Sequence, residues 1–119
     1  MAAKGKKIVI ADDNRELCDL VNDVMRRQGH EVSSVYNGYE LIAYIEKNTP
    51  AVIILDLMMP GKDGLSIIDT IKQLSPYSRI IIYTGYHEYK RSVYGRSVDD
   101  FVVKGGSIKD LVTAVEKYL

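Results

Sequence analysis

The 119-residue sequence has no excess charge of either sign, because sixteen Lys and Arg side chains balance sixteen Asp and Glu side chains. Domains that bind nucleic acid or anionic membranes carry concentrated positive charge, so this balance argues against direct binding of either. Cysteine is also scarce. Cys18 stands alone, which excludes an internal disulfide and a four-thiolate zinc site and suits a reducing compartment. We therefore expect a cytoplasmic location.

Long apolar runs are absent as well. No stretch approaches the roughly 18 to 20 apolar residues that span a bilayer, and the basic start Met1–Lys7 lacks a following signal-peptide apolar region. The sequence shows no internal repeat, linker or low-complexity segment. Its length fits one compact domain, so we predict a single domain over residues 1–119.

What the sequence does contain is an alternation of two patterns. Short runs rich in Val and Ile predict strands at residues 8–11, 31–36, 51–55, 79–84 and 101–103. Between them, apolar residues recur every three or four positions and predict helices. The predicted apolar faces are Leu17, Leu20, Val21, Val24 and Met25; Leu41, Ile42, Tyr44 and Ile45; Leu65, Ile67, Ile68, Ile71 and Leu74; and Ile108, Leu111, Val112 and Val115.

The boundaries of these elements follow from turn and capping residues. Asp12-Asp13-Asn14 provides caps for the first helix, which should stop near Gly29, and Asn37-Gly38 predicts a turn. Pro50 ends the second helix and Ser75-Pro76 the third. Residues 85–98 have the weakest helical period, so we expect a short or mobile helix there.

Five strands that alternate with five helices predict an α/β fold. Parallel crossovers are almost always right-handed and helical, which places helices on both faces of an open parallel sheet. The flavodoxin-like strand order 2-1-3-4-5 fits this number of elements. The alternating run 31–36 predicts an edge strand, and the nearly all-apolar run 51–55 predicts a central one.

Polar side chains follow four of the predicted strands. Asp12 and Asp13 end the first strand, Asp56 the third, Thr84 the fourth and Lys104 the fifth. Ligands of such sheets bind beyond the carboxyl ends of the strands where the strand order reverses. Three carboxylates in a small volume need a counter-charge, and oxygen ligands without imidazole or thiolate favour Mg²⁺, with Mn²⁺ as an alternative.

The same residues predict phosphoryl chemistry. A backbone carbonyl after Asp56, from Met58, is a candidate further metal ligand. The metal, the Lys104 ammonium and the Thr84 hydroxyl can each take one oxygen of a phosphoryl group, because phosphoryl transfer depends on positioning and charge neutralisation. Asp56 is then the nucleophile and forms an acyl phosphate.

Four stretches, in order along essentially the whole chain, resemble the response-regulator receiver domain of two-component and phosphorelay signalling: Ile8–Asp13, Leu55–Gly64, Tyr83–Gly85 and Asp100–Lys104. Ala11–Leu17 looks like the opening of sporulation-type receivers. The resemblance implies that Asp56 accepts phosphate from a histidine kinase or histidine phosphotransfer protein. The change of shape would then signal to an output domain or effector protein.

The resemblance also implies a role for each site residue. Asp12 and Asp13 would hold magnesium, Asp13 more directly. Thr84 and Lys104 would bind the phosphoryl oxygens, and Phe101 would be the aromatic that turns inward on activation. The domain would be a phosphoacceptor that assists its own phosphorylation and dephosphorylation, not an enzyme acting on a separate substrate.

The sequence departs from the receiver pattern in three places. Gly105-Gly106 stands where receivers usually carry proline, often with a cis bond, which predicts a looser Lys104 loop. Ser97-Val98 replaces the usual Gly-Ala before the last strand. Tyr86, His87 and Tyr89 follow Thr84 and would crowd the phosphorylation pocket.

Three other functions compete with the signalling switch. A phosphohydrolase with an aspartyl nucleophile generally needs an acid-base carboxylate two residues after the nucleophile, where this chain has Met58. An FMN-binding protein is disfavoured because the acidic site would repel the cofactor phosphate. A phosphate-independent binding module would not need the intact acidic set.

Overall fold

The apolar runs of the sequence form the strands of one sheet, and the amphipathic stretches form helices that cover it. A computed structural model describes residues 7–60, 64–85 and 97–119. In chain order the described elements are β1 Lys7–Ala11, α1 Arg15–Arg27, β2 Glu31–Val35, α2 Gly38–Lys47, β3 Val52–Leu55, α3 Gly64–Leu74, β4 Arg79–Thr84, β5 Asp100–Val103 and α4 Ile108–Glu116.

All five strands are parallel and lie in the order β2-β1-β3-β4-β5, which confirms the predicted topology. As expected, the alternating strand β2 is an edge and the fully buried strand β3 is central. The register pairs Ala11 with both Val35 and Leu55, and Thr84 with Val103. The carboxyl ends of β1, β2 and β3 are therefore level, and those of β4 and β5 are level with each other, two residues farther along because Leu55 pairs with Ile82. The residues that follow the strands thus meet at one edge.

The core has two halves, one on each face of the sheet. On the first face Ile8, Ile10 and Tyr83 pack with buried residues of α1 and α4. On the second face Val9, Ile53 and their neighbours pack with buried residues of α2 and α3. Each buried aliphatic side chain contributes roughly 1.5–3 kcal/mol, so this two-sided packing holds the strand ends that carry the polar residues.

Asparagine side chains start the first two helices. Asn14 Oδ1 accepts a hydrogen bond from the Leu17 N–H (3.1 Å) and caps α1. Asn37 Oδ1 accepts one from the Glu40 N–H (2.9 Å), while Glu40 Oε1 accepts one from the Tyr36 N–H (2.8 Å). Asn37-Gly38 turns the chain from the end of β2 into the start of α2, as predicted. The two bonds also cap that helix in a variant of the capping box, in which Glu40 reaches the residue before the N-cap.

Two residues predicted on apolar helix faces lie at the surface instead. Leu20 is 50% exposed and Leu74 is 39% exposed. In α1 the buried stripe is Cys18, Val21 and Met25, and their spacing of three and four residues places Leu20 well outside it. Leu74 is the last residue of α3.

The helix predicted within residues 85–98, with Tyr86, His87 and Tyr89, falls mainly outside the described residues. Of that stretch the structure describes Gly85, Ser97 and Val98. Across the described ranges, none of the helices has the length and apolar character needed to cross a bilayer.

Candidate functional site

Backbone hydrogen bonds extend the sheet one residue past the strand ends and fix the site. The Asp12 N–H donates to Val35 O (3.1 Å), and the Asp56 N–H donates to Ala11 O (3.0 Å). On the other side the Lys104 N–H donates to Thr84 O (2.8 Å). The peptide units that carry the polar side chains thus belong to the sheet, and the predicted convergence at its carboxyl edge is observed.

Three carboxylates lie at the centre of this edge. Asp12 and Asp56 are buried, with 1% and 7% of their surface exposed, whereas Asp13 is exposed. One oxygen from each of the three lies within 4.8 Å of the other two. A set made only of carboxylate oxygens, open to solvent at Asp13, fits Mg²⁺, which prefers oxygen ligands and retains several waters. These three residues would hold the ion.

Lys104 supplies positive charge to the same cluster. Its Nζ lies 2.6 Å from Asp12 Oδ2 and 3.0 Å from Asp56 Oδ2. The remaining oxygens are held by backbone: Asp12 Oδ1 accepts the Asn14 N–H (2.9 Å) and Asp56 Oδ1 accepts the Met58 N–H (3.0 Å). Both buried carboxylates are therefore fixed in orientation, and the ammonium joins them.

Burial and charge shift two pKa values here. Burial raises the pKa of Asp12 and outweighs the opposing hydrogen bonds from Lys104 and Asn14. For Lys104, burial alone would lower the pKa, but the hydrogen bonds and charges of Asp12 and Asp56 together raise it. Lys104 is thus a cation at neutral pH, whereas the ionised form of Asp12 is held at a cost that a bound cation would relieve.

The remaining predicted residues surround this centre. Thr84 is fully buried at the end of β4. Phe101 is partly buried and packs on the core half that faces α2 and α3. Met58 is 49% exposed, and the structure places its N–H on Asp56. A role for the Met58 carbonyl as a metal ligand stays a prediction.

The loop after Lys104 has the conformation that its glycines permit. Gly105 has φ +100°, and the described residues contain no cis peptide bond. Proline, with φ fixed near −65°, is incompatible with that backbone. The replacement of the usual proline by Gly105 is therefore a change of loop geometry as well as of composition.

Two kinds of contact at the site were not predicted from the sequence. The N–H groups of Asn14 and Met58, each two residues after an aspartate, close Asx turns, which an aspartate at a strand end could have indicated. The second is the ring of Tyr83, whose centroid lies 5.7 Å from Lys104 Nζ. Tyr83 directly precedes Thr84 in a run of apolar residues, which made it indistinguishable from a core residue.

The chain is similar to known proteins over almost its whole length. The family model described as the response regulator receiver domain matches residues 8–116. Regulatory protein VanRc of Enterococcus gallinarum is 32% identical over 116 residues, which cover 96% of this chain and 50% of VanRc. Sporulation initiation phosphotransferase F of Bacillus subtilis (strain 168) is 29% identical over 116 residues, covering 96% of this chain and 94% of that protein. The chain thus spans about half the length of VanRc.

Among solved structures, the response regulator TrrA of Thermotoga maritima in complex with Mg(2+)-BeF has a TM-score of 0.88 and 28% identity. The match covers 96% of this chain and 99% of TrrA. The same protein in complex with the histidine kinase ThkA matches with a TM-score of 0.87, 28% identity and coverage of 96% and 98%. The likeness therefore extends over almost the whole of both chains.

Proposed function

Because the chain belongs to the response regulator receiver domain family, we propose that Asp56 is the side chain on which it accepts a phosphoryl group. Receiver domains accept this group from a histidine kinase in a magnesium-dependent step, and this domain does the same. The observation that supports Asp56 is the Lys104 ammonium, held within 3.0 Å of its Oδ2 in a buried acidic site.

In the proposed reaction a carboxylate oxygen of Asp56 attacks phosphorus. An O–P bond forms as the N–P bond of a phosphohistidine breaks, and the electron pair of that bond returns to the imidazole nitrogen. The Met58 N–H holds the second carboxylate oxygen, which fixes the direction of attack. Bound at Asp12, Asp13 and Asp56, Mg²⁺ would neutralise the carboxylates and the phosphoryl oxygens.

Two further side chains complete the proposed site. Lys104 moves its ammonium from the Asp56 carboxylate to an oxygen of the transferred group. The shift is short, because the ammonium already contacts Asp56 Oδ2, the oxygen to which the phosphoryl group would be attached. The Thr84 hydroxyl takes another oxygen. Phe101, partly buried beside the second half of the core, then turns inward and alters the surface around β5.

Two of the similar proteins support a proposal for the partners of this domain. TrrA is a response regulator solved with a histidine kinase, and phosphotransferase F is a sporulation protein. We propose a histidine kinase or a histidine phosphotransfer protein as the donor, and an output domain or effector protein as the receiver of the signal. Cytoplasmic location and the absence of direct nucleic-acid or membrane binding stay predictions.

We also propose that the domain is a phosphoacceptor that assists its own phosphorylation and dephosphorylation rather than an enzyme with a separate substrate. The competing phosphohydrolase would need an acid-base group two residues after Asp56, and Met58 has none. The buried carboxylates of Asp12 and Asp56 also disfavour an FMN site, since they would face the cofactor phosphate.

The test is incubation of the protein with acetyl phosphate and Mg²⁺, followed by intact-mass spectrometry. We expect the mass of one phosphoryl group to be added, and none in Asp56→Asn or in EDTA. Asp69→Asn, which changes an exposed aspartate on α3, is the matched control and should gain the full mass. Equal gain in Asp56→Asn would overturn the assignment of Asp56, and repeated turnover of a small phosphate ester would favour the phosphohydrolase.

A further inference from the structure

Lys104 has less backbone support than a proline-flanked lysine would have. Its N–H is bound to Thr84 O, but the next residue is Gly105 in the left-handed region with φ +100°. Glycine restricts the backbone least of all residues. The position of the ammonium must therefore be fixed mainly by what its side chain contacts.

The sheet places one aromatic side chain beside that ammonium. Tyr83 and Val102 are register partners in the parallel pair β4–β5, so their side chains project from the same face. Lys104 lies two residues after Val102 and shares that face. Tyr83 is almost fully buried between the sheet, α1 and α4, and the Lys104 Nζ stands over its ring, 5.7 Å from the centroid.

From this geometry we propose that Tyr83 is a positioning residue that holds the Lys104 ammonium at the phosphoacceptor site, a role that rests on the proposed function of Asp56. Lys104 has two carboxylate partners, but phosphorylation converts the Asp56 carboxylate into an acyl phosphate. The ring face attracts the cation whichever anion stands opposite. Tyr83 therefore supplies a contact that persists while the anionic partners change.

Two substitutions, Tyr83→Phe and Tyr83→Leu, distinguish an effect of the ring face from effects of packing and of the hydroxyl group. Phenylalanine keeps the ring, and leucine keeps an apolar side chain without one. Tyr44→Leu removes a half-buried tyrosine on α2 that packs on the other half of the core, and it serves as the matched control for general loss of packing.

The first measurement is the rate of phosphorylation against acetyl phosphate concentration at saturating Mg²⁺. We expect Tyr83→Leu to raise the half-saturating concentration roughly two- to fivefold, which corresponds to about 0.5–1 kcal/mol for a cation–π contact. Tyr83→Phe and Tyr44→Leu should remain at the wild-type value. An unchanged value in Tyr83→Leu, or an equal rise in Tyr83→Phe or Tyr44→Leu, would overturn the proposal.

The second measurement does not depend on phosphorylation. The NMR signals of the Lys104 side chain, identified by their loss in Lys104→Arg, should be displaced by the ring in the wild type and in Tyr83→Phe. They should move to ordinary lysine positions in Tyr83→Leu, and ordinary positions in the wild type would contradict the contact. A wild-type protein that takes no phosphoryl group but shows displaced signals would refute the function of Asp56 and leave the ring contact established.

Discussion

Replacing Asp12 by asparagine should stabilise the metal-free domain and destabilise it relative to the wild type when Mg²⁺ is present. Asp12 is buried, and its burial raises the pKa of its carboxyl group. An aspartate with a raised pKa binds a proton more tightly in the folded state, so its ionised form at neutral pH lowers the free energy of unfolding. Asparagine removes that charge.

The magnitude follows from the site geometry. Burial of the Asp12 charge is the largest cost, and Asp56 adds to it: their oxygens lie within 4.8 Å of each other, a distance at which two like charges repel by at most about 3.5 kcal/mol at an effective dielectric constant of 20, before screening by Lys104. The loss of the charged Asp12–Lys104 bond of 2.6 Å offsets part of this gain, although Lys104 retains Asp56. We expect a net gain of about 1 kcal/mol, or a rise of about 4 °C in Tm.

Magnesium should make the wild type more stable than Asp12→Asn. A ligand that binds only the folded state at one hundred times its Kd adds about 2.7 kcal/mol, and Asp12→Asn loses a charged ligand of the proposed site. Thermal unfolding in EDTA and in excess MgCl₂ measures the stability of each protein without and with the metal, and Asp69→Asn is the control. If Asp12→Asn were less stable than the wild type in EDTA, or gained as much from magnesium, the reasoning would be refuted.

Two further predictions concern groups around the site. Burial first, and then the charge of Asp12, raises the pKa of Cys18 from 9.0 to about 11, so its contribution to stability is present below pH 9.0 and is lost as the pH rises through 11. Urea unfolding at pH 8 and 10.5 should show a fall of roughly 2 kcal/mol in the free energy of unfolding. That fall should be much smaller in Cys18→Ala, and an equal fall in both proteins would contradict the assignment. Gly105 has φ +100°, so Gly105→Ala should lower the free energy of unfolding by about 1 kcal/mol and Gly105→Pro by more. Gly106→Ala, whose added Cβ would meet Asp110 at an ordinary 3.4 Å, should be nearly neutral, and equal losses at both glycines would argue against strain at Gly105.

Much of the fold was predictable because the sheet is buried on both faces. A strand such as β3, Val52–Leu55, must be apolar throughout, and its end is then marked by the first charged residue, Asp56. The predicted strand order places that residue beside Asp12. Hydrophobic periodicity and turn residues were sufficient for this step, because they act locally.

What the sequence did not predict depends on contacts between distant residues. Asn37-Gly38 has the composition of a turn, and the bonds that Asn37 accepts from the Glu40 N–H and Glu40 accepts from the Tyr36 N–H show that it also begins a helix. Tyr83 reads as one more core residue until Lys104, twenty-one positions later, is placed over its ring. Leu20 fits the predicted apolar face of α1, because hydrophobic periodicity does not specify how much of the helix surface the sheet covers.

The central claim, that Asp56 is the phosphoacceptor, is tested most directly by locating the acyl phosphate. Borohydride reduces an aspartyl phosphate to homoserine, and peptide mass spectrometry then identifies the altered position. After phosphorylation with acetyl phosphate and Mg²⁺, we predict homoserine at residue 56 and unmodified Asp12 and Asp13. Homoserine at either of those two residues, with Asp56 intact, would contradict the account.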